Sequence, residues 1–168
     1  MHLYKALPIA ERIRAELAPH CERIAIAGSI RRRKLEVGDI EIVCIPKTVR
    51  TGLFNDELER SPEFCHPVNR WPAVKGQATG KYTQRILPEG IKLDLFTACR
   101  CNWGLILAIR TGSAEFSKHR LAARWSQLGY KSVGGMLTRK GTTHAVREEQ
   151  HLFTLLGIPW TDPEARNL

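Results

Sequence analysis

Asp39 and Glu41 stand two residues apart in the run Val37 to Ile45, with Ile40 and Ile42 alternating with them. In a strand, positions two apart point the same way, so the two carboxylates share one face while the isoleucines face a core. Like charges so close need a cation. Mg²⁺ takes oxygen ligands from a few carboxylates, substrate phosphates and water, and a pair of such ions stabilises in-line phosphoryl displacement. Mn²⁺ suits the same donors. Asp94, flanked by Leu93 and Leu95, qualifies as a third carboxylate if its strand lies beside the one carrying Asp39. Alternation alone also fits acids that merely face solvent.

Upstream, Gly28-Ser29 closes the short apolar run Ile24 to Ala27. Such a turn lets backbone N–H groups and a hydroxyl approach a polyphosphate closely. Arg31, Arg32, Arg33 and Lys34 follow, a run that suits either phosphate or a solvated surface. The order strand, Gly-Ser, nine residues, Asp-Ile-Glu-Ile and later Lys-Leu-Asp-Leu resembles the nucleotidyltransferase superfamily typified by polymerase beta.

The stretch from Ala27 to Glu41, Ala-Gly-Ser-Ile-Arg-Arg-Arg-Lys-Leu-Glu-Val-Gly-Asp-Ile-Glu, resembles the palm motif of family X DNA polymerases. Thr111-Gly112-Ser113 resembles the family's Thr-Gly-Ser turn. Phe153 to Arg166, with Leu155-Leu156-Gly157-Ile158-Pro159-Trp160 inside, resembles its C-terminal helix and tail. The resemblance implies that Asp39, Glu41 and Asp94 bind two Mg²⁺ ions, with Asp94 next to a primer 3′-hydroxyl. It implies that Gly28, Ser29 and Arg32 hold the β and γ phosphates and that Lys92 lies near the primer terminus. Gly112 and Ser113 would form a turn near the incoming sugar, where the family has a cis peptide, and Ser117 would face the base of the nucleotide. Departures accompany the matches. Glu41 stands where the family has Asp, Ile109 and Arg110 replace an aromatic pair, Ser117 replaces an Asn, and Leu121 falls where many members have Arg. Nothing before Leu7 corresponds to the family's lyase domain or fingers, so the expected chain is palm plus thumb.

These residues need elements to position them. Ile9, Ile13 and Leu17 predict an amphipathic helix over 7–17, broken by Pro19 and His20. Ile24 to Ala27 and Val37 to Ile45 predict strands. Thr51 to Arg60 is read as a helix, and the stretch through Pro62, Pro67 and Pro72 as turn-rich, with Trp71 as an exposed aromatic candidate. Lys81 to Leu87 and Ile91 to Ala98 predict a hairpin about Pro88-Glu89-Gly90. Trp103 to Ile109, Ala114 to Leu128 and Arg147 to Leu156 predict helices, and 130–146 a small hairpin. In the second of these helices Lys118, Arg120 and Arg124 are candidate DNA-backbone contacts, with Arg120 and Arg124 on one face. Trp103, Trp125 and Trp160 read as packing residues.

Composition agrees with a nucleic-acid partner. The 168 residues carry 26 Lys and Arg against 17 Asp and Glu, a net charge of +9. Five cysteines without a C-x-x-C pair predict neither a disulfide scaffold nor a zinc ribbon and fit a reducing compartment. Cys99-Arg100-Cys101 and Cys65-His66 are read as bland rather than metal-binding. No apolar stretch suits a membrane span. The expected fold is α+β: a nucleotidyltransferase palm with a mixed β-sheet and helices over 1–102, then a small α/β thumb over 103–168. The expected activity is Mg²⁺-dependent addition of dNMP from a dNTP to a primer 3′ end on primer-template or gapped DNA. Short-gap repair or small-genome replication would be the setting, with a cytoplasmic, nucleoid or viral replication location and a repair or replication partner protein. The alternatives are transfer to a non-DNA or untemplated acceptor, and a noncatalytic DNA-binding module.

Overall fold

The computed structural model describes residues 1–50 and 58–167. It contains α1 (Leu3–Leu17), β1 (Cys21–Ile26), the single turn α2 (Gly28–Arg31), β2 (Asp39–Pro46), β3 (Thr48–Arg50) and β4 (Leu58–Arg60). Next come α3 (Pro62–Asn69), β5 (Ala73–Gly76), β6 (Tyr82–Ile86), β7 (Lys92–Thr97) and α4 (Trp103–Thr111). A π-helix (Phe116–Ala122), α5 (Ala123–Gln127), β8 (Lys131–Val133), β9 (Met136–Arg139), β10 (Thr142–His144) and α6 (Glu149–Leu156) complete it. No helix among the described residues is long and apolar enough to cross a membrane.

Five strands form one mixed sheet in the order β1-β2-β7-β6-β5. Only the β2–β7 pairing is parallel; β1–β2, β6–β7 and β5–β6 are antiparallel. On β2 the alternation puts Ile40, Ile42 and Cys44 into the main core, where they meet Leu93 and Leu95 of β7, Ala6, Ala10, Ile13 and Leu17 of α1, and Phe64 and Val68 of α3. The opposite face of β2 changes character along its length. It begins with Asp39 and Glu41 and ends with Val43 and Ile45, which pack with Ala27, Phe96, Trp103 and Leu107 in a second apolar cluster. Because only the far half of this face is apolar, α4 covers that half and leaves the acids at its C-terminal end.

Helix α4 is apolar on more than one side, and its remaining face belongs to a third cluster. Leu105 and Ala108 pack there with Phe116, Leu121, Tyr130, Leu137, Leu152, Phe153 and Leu156. At Gly104 the helix meets the start of α6 backbone to backbone, since a Cβ there would lie 2.2 Å from the Glu148 carbonyl carbon. Around this contact the two halves are tied by charge. Arg23 pairs with Glu148 at 2.6 Å and Arg33 with Glu164 at 2.6 Å. Glu149, 5% exposed, accepts from Arg31 at 2.5 Å and from the fully buried Arg166 at 2.6 Å. Arg166 also lies against the rings of Phe153 and Trp160.

The structure corrects several expectations. Residues 51–57 of the expected 51–60 helix lie outside the described residues, and Leu58–Arg60 is a strand paired with β3. Residues 130–146 form three strands, not two, turning at Gly134-Gly135 and at Lys140-Gly141, all four with positive φ. Trp71 is 6% exposed and belongs to the main core; Trp160, read as packing, does lie against Phe153 and Arg166 while staying 38% exposed. The prolines misled: Pro62 and Pro67 lie within α3, whose C-terminal end delivers Trp71 to the core. Cys99 and Cys101 form a disulfide, because the turn after β7, closed by the Asn102 N–H on the Cys99 carbonyl, brings their Cα atoms to 5.3 Å.

Glu149→Ala should strip a buried Arg166 of its counter-charge and lower the unfolding free energy by about 3–5 kcal/mol, the usual cost of breaking a buried pair. Arg33→Ala, which breaks an exposed pair, should leave the urea midpoint unchanged. Equal midpoints for Glu149→Ala and the parent chain would refute the assignment.

Candidate active site

Parallel pairing of β2 with β7 sets Asp39 beside Lys92 and Glu41 beside Asp94. Three carboxylates therefore share one sheet face, and Asp94 is 8% exposed. Burial pushes the Asp39 carboxyl above the usual range, and the charge of Asp94 and a hydrogen bond with it add to the effect against Lys92. Glu41 is pushed up to about 7, first by burial and then by the charges of Asp39 and Asp94, with Arg110 and Arg32 opposing.

Asp94 is fixed from the neighbouring strand. The Tyr82 hydroxyl and the Gln84 amide both donate to its Oδ1, each at 2.8 Å. Burial, followed by the hydrogen bond to Asp94, raises the Tyr82 phenol to about 12, so it stays a donor at neutral pH. Neither residue was anticipated. The signal was present nonetheless: reflecting Asp94 through the hairpin centre at Glu89 lands on Gln84, its observed partner, with Tyr82 next on the same face. Arg110 was noted only as a departure, yet its guanidinium lies 3.9 Å over the Phe96 ring beside the acids.

The Gly28-Ser29 turn abuts Glu41. Gly28 has φ of +60°, and a Cβ there would fall 1.9 Å from Glu41 Oε2, so no other residue fits without displacing that carboxylate. The Ser29 hydroxyl oxygen is buried with no hydrogen-bond partner. Arg32 lies close enough to feel Glu41 and Asp39, but its Nη1 donates to the Thr111 carbonyl at 2.7 Å and its Nε to Asn167 Oδ1 at 2.9 Å.

Four other expected contacts are committed within the fold. Gly112 is extended at φ −65°, ψ 155°, and no cis peptide occurs among the described residues, contrary to the turn implied by resemblance. Ser113 accepts from the Phe116 N–H at 3.1 Å while its own N–H donates to the Arg166 carbonyl. Ser117 donates to the Ile109 carbonyl at 2.8 Å. Arg124 turns its Nε to the Leu156 carbonyl, 2.9 Å away at the end of α6. Lys92, Lys118 and Arg120 are exposed.

The donor set is chemically suited to a hard divalent cation: three crowded carboxylates and an unpaired buried hydroxyl, all oxygen. The side chains as placed do not yet form a cage. Among the described residues no group of three His, Cys, Asp or Glu stands ready to hold a metal. A cation between Asp39 and Asp94 would replace their hydrogen bond.

In divalent-free buffer the raised Glu41 has a definite signature. Its native carboxyl binds a proton that the unfolded chain releases near 4.5, so stability is full below that pH and falls as pH rises to about 7. Glu41→Gln should therefore gain on the parent chain as pH rises, by on the order of 3 kcal/mol between pH 4 and pH 8 in urea unfolding. A difference that does not change with pH would contradict the burial and repulsion described.

No curated protein matches the chain. Residues 106–167 match a family model, the DNA polymerase beta thumb. This segment runs from within α4 through α6 to the C-terminal tail, so the part of the chain similar to that thumb begins on the helix whose end borders the three acids.

Proposed function

We propose that the chain is a Mg²⁺-dependent nucleotidyltransferase of the family X type that adds dNMP to a DNA primer 3′ end. Residues 1–102 would act as palm and 103–168 as thumb. The observation that carries this reading is the sharing of one sheet face by Asp39, Glu41 and Asp94 at the edge of a segment similar to a polymerase thumb.

In this reading Asp39, Glu41 and Asp94 hold two Mg²⁺ ions, with Mn²⁺ as a substitute, and the ions supply charge neutralisation of the triphosphate and activation of the 3′-hydroxyl. The protein's own contribution is positioning. Tyr82 and Gln84 hold one oxygen of Asp94 so that the other faces the primer hydroxyl. Gly28 leaves space for backbone approach, and the Ser29 hydroxyl gains a phosphate partner. Arg32, anchored on the Thr111 carbonyl, presents its charge to the dNTP from a fixed position. Lys92 lies by the primer terminus, and Lys118 and Arg120 contact the DNA backbone. Arg124, spent on α6, is left out of this set, and the hydroxyl of Ser117 reaches a base only by leaving Ile109. Short-gap repair or replication, with a partner protein supporting the DNA, fits such an activity.

Primer extension on gapped, templated and single-stranded DNA tests the proposal. Asp39→Ala and Asp94→Ala should each lose at least a thousandfold in incorporation with Mg²⁺ while keeping the parent's circular dichroism and DNA affinity. Full extension by either variant would end the reading. DNA binding with no incorporation by the parent chain, in Mg²⁺ or Mn²⁺, would leave a noncatalytic DNA-binding module. Faster labelling of acceptors other than DNA would redirect the substrate.

A further inference from the structure

A cleft of about 530 Å³ lies beyond the acids, between the ends of β6 and β7, one side of α4 and the Gly134-Gly135 turn. Its apolar surface comes from Tyr82, Phe96, Ile106 and Met136. Tyr82 and Phe96 are stacked with ring centroids 5.0 Å apart. Arg60, Lys81 and Arg110 also line the cleft, and no acidic side chain stands among its described lining residues. The cations are not equally engaged. Arg60 donates to the Ala78 and Gly80 carbonyls, whereas Lys81 makes one long contact, 3.4 Å, to the Gly134 carbonyl.

Gly135 keeps this space open. A Cβ on Gly135 would lie 3.2 Å from Asn102 Nδ2 and 3.8 Å from Ile106 Cδ1, on the wall of the cleft, and Asn102 in turn donates to the Gly135 carbonyl. The volume is that of a small-ligand site. Aromatic and aliphatic walls suit a planar ring, Lys81 and Arg110 suit an anion, and the glycine carbonyls, each with a second lone pair, suit an exocyclic amine. A second hollow of about 560 Å³, bounded by Glu16, His20 and Arg70, mixes acid with base and has no comparable selectivity for an anion.

We propose that this cleft binds a purine nucleoside monophosphate, at a site separate from the carboxylates. The base lies against Tyr82, Ile106 and Met136, with the Phe96 ring backing Tyr82, and Lys81 and Arg110 meet the phosphate. One residue connects the two places: the Tyr82 ring lines the cleft and its hydroxyl holds Asp94 Oδ1. The binding claim does not rest on nucleotidyl transfer and is read without metal.

Photolabelling with 8-azido-AMP in EDTA, followed by peptide mapping, tests it. Saturable label on peptides containing Tyr82, Phe96, Ile106 or Met136, displaced by AMP and weakly by adenosine, is the expected result. Asp39→Ala should label as the parent does. Ile106→Trp or Met136→Trp, each adding bulk to a lining residue of the cleft, should reduce labelling at least tenfold in whichever variant retains native circular dichroism. Label confined to the Gly28–Lys34 peptide, loss of label in Asp39→Ala, or no saturable labelling of the parent would overturn the proposal.

Discussion

Repulsion among Asp39, Glu41 and Asp94 is the term that the surrounding structure has to offset. Register leaves no choice, because strands β2 and β7 run parallel and in step, so the carboxylates cannot separate without breaking the sheet. Three kinds of group reduce the cost. Lys92 sits beside Asp39, the Arg32 and Arg110 guanidiniums oppose the charge on Glu41, and Tyr82 with Gln84 satisfies Asp94. The compensation is incomplete, as the upward displacement of Glu41 to about 7 records. Residual repulsion of this kind is relieved by a bound proton, as at Glu41, or by any cation placed among the carboxylates.

The same chemistry explains how the basic run after Ser29 is used. Read as a string, Arg31-Arg32-Arg33 is a phosphate-binding stripe or a wet surface. In the fold all three guanidiniums take partners in the C-terminal half: Glu149 and the Thr111 hydroxyl for Arg31, the Thr111 carbonyl and Asn167 for Arg32, Glu164 for Arg33. A net charge of +9 therefore overstates the cationic surface open to a polyanion, since part of it is spent inside. The cations left on the surface near the matched segment include Lys118, Arg120, Lys131 and Lys140.

Local patterns carried much of the architecture in readable form. Alternation located β2 and β7, and the turn at Pro88-Glu89-Gly90 located β6, the hairpin partner of β7. What alternation lacks is the identity of a neighbour distant in sequence, so the parallel β2–β7 contact was a supposition that only the folded chain supplies. Other features were hidden for equally physical reasons. The π-helical stretch over Phe116–Ala122 has no signature in side-chain type, and the bond from Arg124 to the end of α6 joins residues 32 apart in sequence, which no local pattern shows. Trp71 looked exposed because of its prolines, yet Pro62 occupies the first turn of α3, a position where a missing N–H costs nothing. Cys99 and Cys101 lacked the spacing of a metal knuckle, and that spacing says nothing about whether a tight turn will join them.

The contact at Gly104 has a packing consequence. There the main chain of α4 rests directly on that of α6, with no intervening group to compress. The Gly104 N–H also donates to the Val146 carbonyl at 2.9 Å, so the start of α4 is pinned to the segment that leads into α6. Any side chain at this position would push α6 away from α4, and Glu149, the acceptor that Arg31 and Arg166 share, would move with it.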